Sequence, residues 1–307
     1  MKTILISGLS GFVGRNLSVF LENFTEYSIK DLNRTKQNST LLLKELNVKE
    51  EANYNILIHL AGKAHDLNRV SNSKEYYEVN TKLTKKIFGA FLLSDAKVFI
   101  TLSSVKAATD NTEEILTEDF IPNPLTHYGK SKRLAEEFIL ANLPSDKRVY
   151  ILRSCMIHGE GNKGNLNLLY NFVKKGIPYP LGAYDNKRSF LSIDNLCFVI
   201  NELIEREDIP SGIYNLADDT PVSTENLINL ISNVTSKRVF IWKIPKFIIN
   251  IIAKFGDYLP LPINTERVRK MTENYVVSNQ KMKNALRKNF PVSSEDGLRK
   301  TIESFEK

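Results

Sequence analysis

The chain has 307 residues, 42% of them hydrophobic and 25% charged, the balance of a globular protein with one large core or two lobes sharing an interface. Its net charge of +7 comes from basic residues scattered along the chain, and even the denser cluster Lys281, Lys283, Arg287 and Lys288 reads as a solvated helix face, so no nucleic acid is expected and a negatively charged small substrate suits the excess. Two cysteines, Cys155 and Cys197, exclude a disulfide framework and a metal-ligand spacing and point to a reducing, cytoplasmic setting.

Met1-Lys2 leads directly into a short apolar strand, Thr3 to Ser7, so no secretory leader is expected. After Gly11 the period changes, and Val13, Leu17, Phe20, Leu21 and Phe24 recur at helical spacing. A strand running into a helix through Gly8-x-x-Gly11-x-x-Gly14 aims backbone N–H groups and a helix N-terminus at an anion, typically a dinucleotide pyrophosphate. Gly8 permits the tight turn, Gly11 lets the backbone approach phosphate, and Gly14 lets helix and strand pack closely. A nucleoside triphosphatase loop is excluded, because no Gly-Lys-Ser/Thr follows.

Tyr27 to Leu32 reads as a second strand. Asp31 lies where a doubly wound fold often places the acid that binds the adenosine ribose, and Arg34 could instead meet a 2′-phosphate. If the strand ends at Lys30, Asp31 is first in line; if it runs on to Leu32, Arg34 reaches the site. A plain turn residue is the other reading of Asp31. Leu41 to Leu43 gives a short strand, and Asn55 to Gly62 a central one, buried on both faces and ending in Leu60-Ala61-Gly62. His59 in it reads as a packed core histidine.

Residues 75–94 form a long helix with Tyr76, Val79, Leu83, Ile87 and Phe91 on one face. Lys97 to Ser103 is the next strand, ending in Ser103-Ser104. A helix begins near Tyr128 and runs to about Asn142, and Val149 to Arg153 is another strand. Strand and helix alternate from residue 3 to 153, which argues a doubly wound parallel sheet. Glycines and prolines between Gly159 and Pro180 mark an excursion from that sheet. Ile213 to Leu216 is a further strand, Ser223 opens a helix, and residues 278–305 are largely helical. The apolar run from Ile244 to Phe255 is too short and too interrupted to span a bilayer, so no transmembrane segment is expected.

Tyr128-Gly129-Lys130-Ser131-Lys132 puts Tyr128 and Lys132 one turn apart on one helix face. A neighbouring ammonium favours phenolate, and an oxidised nicotinamide would favour it further, so the pair supplies a general base near neutral pH. Ser104, at the end of the preceding strand, can bond the same substrate oxygen.

This order of motifs resembles the extended short-chain dehydrogenase/reductases that epimerise, dehydrate or reduce nucleotide sugars. The likeness covers nearly the whole chain. It is carried by the glycine turn, His59-Leu60-Ala61-Gly62, Ser103-Ser104, Tyr128/Lys132, Arg153 to Gly159 and Arg188 to Asn195. The resemblance implies a Rossmann dinucleotide-binding domain over 1–165, with a return segment near 189–216, and a smaller C-terminal α/β substrate-binding domain over 166–307. It implies NAD as cofactor, NADP being the alternative, held by Gly8, Gly11, Phe12, Val13, Gly14, Asp31, Arg34, Leu60, Ala61, Gly62, Tyr128 and Lys132, with no metal. Tyr128 would be the catalytic acid or base, Lys132 its pKa-lowering partner and Ser104 the third catalytic residue. Ser104, Asn165 and Arg188 would meet a UDP-hexose or UDP-N-acetylhexosamine, Arg188 at the diphosphate. Two copies would pair through the helices near 75–94 and 128–142.

The departures narrow the reading. Gly62 replaces the family's second alanine, and Ser154 replaces its proline after Arg153. Ser104-Val105-Lys106 stands where the 4,6-dehydratases carry Thr-Asp-Glu, so dehydration is not expected. The chain looks most like the small 4-epimerases and 4-ketoreductases of bacterial surface-polysaccharide clusters. A cofactor-binding redox sensor without chemistry is the competing reading, and the intact Ser104, Tyr128 and Lys132 argue against it.

Overall fold

A computed structural model describes residues 1–33, 41–42, 54–63, 73–162, 164–259 and 264–306. The strands in chain order are β1 (Lys2–Ser7), β2 (Tyr27–Asn33), β3 (Leu41–Leu42), β4 (Ile56–His59), β5 (Val98–Ser104), β6 (Arg148–Ser154), β7 (Met156–His158), β8 (Lys187–Arg188), β9 (Phe190–Ser192), β10 (Gly212–Leu216) and β11 (Val222–Ser223). The helices are α1 (Phe12–Leu21), α2 (Ser73–Tyr76), α3 (Leu83–Leu93), α4 (His127–Ala141), α5 (Asn165–Lys174), α6 (Ile193–Glu205), α7 (Thr224–Thr235), α8 (Lys246–Tyr258), α9 (Thr265–Thr272), α10 (Gln280–Leu286) and α11 (Ser294–Ser304). A π-helical turn, Tyr77–Lys82, joins α2 to α3.

The main sheet is parallel, with strands in the order β10-β6-β5-β4-β1-β2-β3. The strand order reverses between β1 and β4, the switch point where such sheets bind dinucleotides. Both faces are buried, so the strands read as continuous apolar runs. Alternation sorts them cleanly. Leu5, Leu57, Phe99 and Val149 stand in register on one face, covered by Phe88 and Phe91 of α3. Ile4, Ile56, Val98 and Leu152 belong to the other, covered by α1 and α6. Phe99 sits 5.0 Å from the Phe88 ring and 5.2 Å from the Phe91 ring. Truncating it would remove about 3–5 kcal/mol, the usual result of emptying a close-packed aromatic site.

A third core gathers Leu166, Tyr170 and Val173 of α5, Leu227 and Ile231 of α7, Ile249 and Ala253 of α8, and Leu298 and Ile302 of α11. Between them, β7 pairs with β9 and β8 with β11. The return segment carries β9 and α6 and delivers β10 to the edge of the main sheet.

Two expectations need correction, and two are borne out with added detail. The central strand is shorter than Asn55–Gly62: beyond His59 the Leu60 amide still bonds the Ser7 carbonyl at 2.9 Å, and Leu60, Ala61 and Gly62 line a cavity. The long helix is not regular, because its π turn advances the register. Val79 and Leu83 therefore wall the cavity, while Asn80, Thr81 and Thr84 go inward. The glycine- and proline-rich excursion holds a helix, α5, whose Leu166, Tyr170 and Val173 recur at helical spacing. The C-terminal stretch is two helices, α10 ending where Arg287 takes φ of 51° and α11 starting at the Ser293 cap.

Candidate active site

The glycine turn is built as its spacing demands. Gly8 has φ of +81°, and a Cβ there would come within 2.6 Å of the Ala61 nitrogen. A Cβ at Gly14 would meet the Gly8 carbonyl oxygen at 2.4 Å. Only glycine lets β1, α1 and the end of β4 converge. The Gly11 amide donates to the Gly8 carbonyl at 3.0 Å, and no side chain caps the α1 N-terminus. The resulting cavity, about 290 Å³, is lined by Ser7, Gly8, Gly11, Leu60, Ala61 and Gly62, with Leu32, Val79 and Leu83 around them. This cradle of uncapped amides and small residues fits a dinucleotide pyrophosphate.

Beside it stands α4. Thr126 caps the helix by accepting from the Gly129 amide at 3.1 Å. A Cβ at Gly129 would strike the Lys106 carbonyl at 2.4 Å, so the glycine lets α4 close onto the end of β5. That contact brings Tyr128 into hydrogen bonding with the Ser104 side chain. Tyr76 packs edge-on against the Tyr128 ring, with centroids 6.0 Å apart. Lys132 donates to the Leu102 carbonyl at 3.0 Å, and a Cβ at Gly62 would lie 3.1 Å from its Nζ. The glycine that departs from the family pattern thus leaves room for the ammonium. Ser104 and Tyr128 meet at the carboxyl end of β5, and Lys132, one turn further along α4, reaches Gly62 of the cavity wall.

Their electrostatics differ from the sequence expectation. Burial pushes the Tyr128 phenol up, and the Ser104 hydrogen bond only partly offsets this. By itself the protein therefore holds Tyr128 as a neutral phenol, a proton donor, and not as the phenolate expected from the neighbouring lysine. Burial also pushes Lys132 down to about 8, with Glu136 opposing the shift. Lys132 is half-buried, with its ammonium against the Leu102 carbonyl, so desolvation outweighs the single carboxylate.

Three buried groups support this triad, and the residue patterns did not point to them. His59 is held neutral, pushed down to about 3 by burial. Thr84 donates to the Asn80 carbonyl at 2.8 Å, so its oxygen accepts from His59 Nε2 at 2.9 Å and the Ser7 hydroxyl donates to Nδ1 at 2.6 Å. Asn80, on the π turn, accepts from the Lys63 amide at 2.8 Å and donates to Ser131 Oγ at 3.0 Å. It ties the β4 loop to α4. Glu136 receives Arg153 through two bonds, 3.0 and 2.7 Å, and Ser103 Oγ at 2.6 Å. A polar residue on a buried helix stripe, as at Asn80 and Glu136, was the available signal. Ser154, where the family has proline, donates to the Ser103 carbonyl at 3.2 Å.

The remaining expected residues are less concentrated. Leu9, Phe12 and Val13 pack against the sheet core at the start of α1. Strand β2 continues through Asp31 to Asn33, with Asp31 opposite Ile6. Leu32 is the β2 residue lining the cavity, and successive strand residues face opposite ways. Arg34 lies outside the described residues. Asn165 opens α5. Arg188 is held at the end of α9, donating to the carbonyls of Lys270 and, at 3.3 Å, Glu273, with the Glu273 carboxylate 3.6 Å away. Lys106, which sequence reasoning treated only as a missing acid, donates to the Asp110 carbonyl and lies 4.3 Å over the Tyr275 ring.

Sheet order, glycine turn and Ser–Tyr–Lys grouping define an extended short-chain dehydrogenase/reductase. A model described as the NAD dependent epimerase/dehydratase family matches residues 4–217, and the chain belongs to that family. It is 29% identical to a UDP-glucose 4-epimerase of Vibrio cholerae, over 99% of this chain and 95% of that protein. It is 26% identical to an N-acetyl-alpha-D-glucosaminyl-diphospho-ditrans,octacis-undecaprenol 4-epimerase of Escherichia coli O157:H7, over 77% and 73%. The fold also matches a UDP-N-acetylglucosamine 4-epimerase from Bacillus cereus with a TM-score of 0.76, at 18% identity over the full length of both chains. NAD is the cofactor of the family, and the glycine cradle described above fits it.

Proposed function

We propose that the protein is a 4-epimerase acting on a hexose or N-acetylhexosamine that carries a diphosphate. The observation that carries this reading is the Ser104–Tyr128 hydrogen bond, set beside Lys132 at the edge of the dinucleotide cavity. The dinucleotide, when bound, supplies the hydride acceptor and donor for C4. The protein's part is the proton. Tyr128 accepts the C4 hydroxyl proton in oxidation and returns one in reduction, with Ser104 bonded to the same oxygen. As a buried phenol it is set to donate; a cationic ring bound nearby would favour its phenolate form. Lys132 holds the nicotinamide ribose. Arg188 reads the diphosphate, whose carrier is a nucleoside in one relative and a polyprenol in another. Inversion requires the keto sugar to turn within the pocket. Dehydration is disfavoured because Ser104-Val105-Lys106 offers no carboxylic acid. Two copies pair through α2–α3 and α4 on this reading.

The test is turnover of UDP-hexoses and UDP-N-acetylhexosamines, with reduced nicotinamide absorbance followed in parallel. Inverted product without net consumption of NAD(P)H is the expected result. Consumption matching product would make the enzyme a 4-ketoreductase. No turnover, with cofactor still bound, would favour a sensor.

A further inference from the structure

Helix α8 is amphipathic in an unusual sense: it buries its narrow side and leaves the broad apolar side outside. At about 100° per residue, Ile249, Ala253 and Gly256 fall on one line and are buried, Ile249 and Ala253 in the same core as Val268 of α9. Phe247, Ile248, Ile251, Ile252 and Phe255 occupy an arc of about 140° on the other side and are 65%, 37%, 51%, 41% and 61% exposed. Trp242, in the segment leading into the helix, is 53% exposed. Soluble monomers rarely leave an apolar face of this extent uncovered.

The charges around this face decide what covers it. Residues 237–259 contain Lys237, Arg238, Lys243, Lys246 and Lys254 against the single acid Asp257. All five cations are exposed, and among the described residues none of them is in an ion pair with an acid. Asp257 is occupied, accepting from the Thr265 amide and hydroxyl at 3.0 and 2.6 Å. A second copy of the same face would set these cations against one another. An anionic bilayer matches both features: headgroups for the lysines, and the acyl boundary for Phe, Ile and Trp. The helix spans about 20 Å, short of the roughly 30 Å hydrocarbon core, and no helix among the described residues is long and apolar enough to cross a membrane. It suits lying in the interface.

We infer that the outer face of α8, with Trp242 and the flanking lysines, docks the protein on an anionic membrane surface. Docking is independent of the C4 chemistry. It sets α9, which packs on the buried side of α8, about one helix diameter, ~10 Å, from the headgroups.

The test uses the full chain with vesicles of phosphatidylcholine, with and without phosphatidylglycerol. Trp242 is the chain's single tryptophan, so its emission reports insertion directly. The expected result is flotation with the phosphatidylglycerol vesicles, a blue shift of Trp242, and loss of binding at high salt. Phe247→Ser/Phe255→Ser and, separately, Lys243→Gln/Lys246→Gln/Lys254→Gln should each lower the partition coefficient about tenfold or more. Unchanged NAD binding by these variants shows that they fold. Absence of vesicle binding by the wild type, or equal binding by the folded variants, overturns the proposal. So does conversion of a wild-type dimer to monomer by the phenylalanine pair, since a second copy would then be the occupant.

Discussion

The half of the molecule built on the parallel sheet and the half built after it handle their side chains in opposite ways. Around the triad, buried polar groups are largely answered from within: His59 by Ser7 and Thr84, Asn80 by Lys63 and Ser131, Glu136 by Arg153 and Ser103, with Arg153 Nη1 left unpartnered. In the other half, α8 turns phenylalanines and isoleucines outward, and Arg188 rests on backbone carbonyls at the end of α9. The first region is bonded within the chain itself. The second is arranged to be completed by something outside the chain. Substitutions in the first should therefore alter chemistry and stability, and substitutions in the second should alter affinity.

Tyr128→Phe sharpens the comparison most. It should leave NAD binding nearly intact and cut turnover by roughly 10²–10⁴-fold, the range for losing a positioned acid–base group. Calorimetric titration of NAD beside steady-state kinetics checks both halves of the statement, and wild-type turnover would remove Tyr128 from the mechanism.

Glu136→Gln comes next. Glu136 and Arg153 are each 1% exposed, so the change strands a buried guanidinium and should cost about 3–5 kcal/mol by denaturant unfolding. It should also lower Lys132 further below its value of about 8, because Glu136 is the group that raises it. Lysine Nζ resonances followed against pH read this shift. The sign for stability follows. Lysine in the unfolded chain titrates near 10.4, so desolvation of Lys132 opposes folding below pH 8 and the penalty fades between pH 8 and 10.4.

Arg188→Ala should raise KM about 10–100-fold with kcat little changed, because a charge-assisted contact to diphosphate serves ground and transition states alike. A fall in kcat at constant KM would break the division between the halves. The smallest effect belongs to Asp31→Ala. With Leu32 on the cavity wall, either dinucleotide's affinity should change by less than about threefold, below the worth of one hydrogen bond to a charged group. A larger and selective loss of NAD(H) would restore Asp31 to the ribose.

What was legible in the sequence follows the same line. The glycine turn, the parallel sheet and the Ser104/Tyr128/Lys132 grouping depend on local geometry: period, turn and helical spacing. They could be read residue by residue. The end of β2 could not, because whether a strand stops at Lys30 or Asn33 depends on pairing with β1, not on Asp31 itself. The π turn was hidden for a related reason. It changes the helical period, so the stripe drawn through Val79 and Leu83 missed Asn80. The direction of the Tyr128 shift was missed because spacing shows the lysine but not the burial that outweighs it. Helix α5 was masked by the glycines that flank it, Gly164 and Gly176, and α8 by the lysines within its apolar run.

The central claim is that C4 is oxidised and reduced again at one site without exchange with water. A substrate carrying deuterium at C4, turned over in ordinary water by the NAD-loaded enzyme, tests it directly. The account predicts that the inverted product keeps its deuterium on C4, because the hydride leaves and returns without meeting solvent while Tyr128 handles only the exchangeable hydroxyl proton. Deuterium released to water with protium at C4 of the product would contradict it.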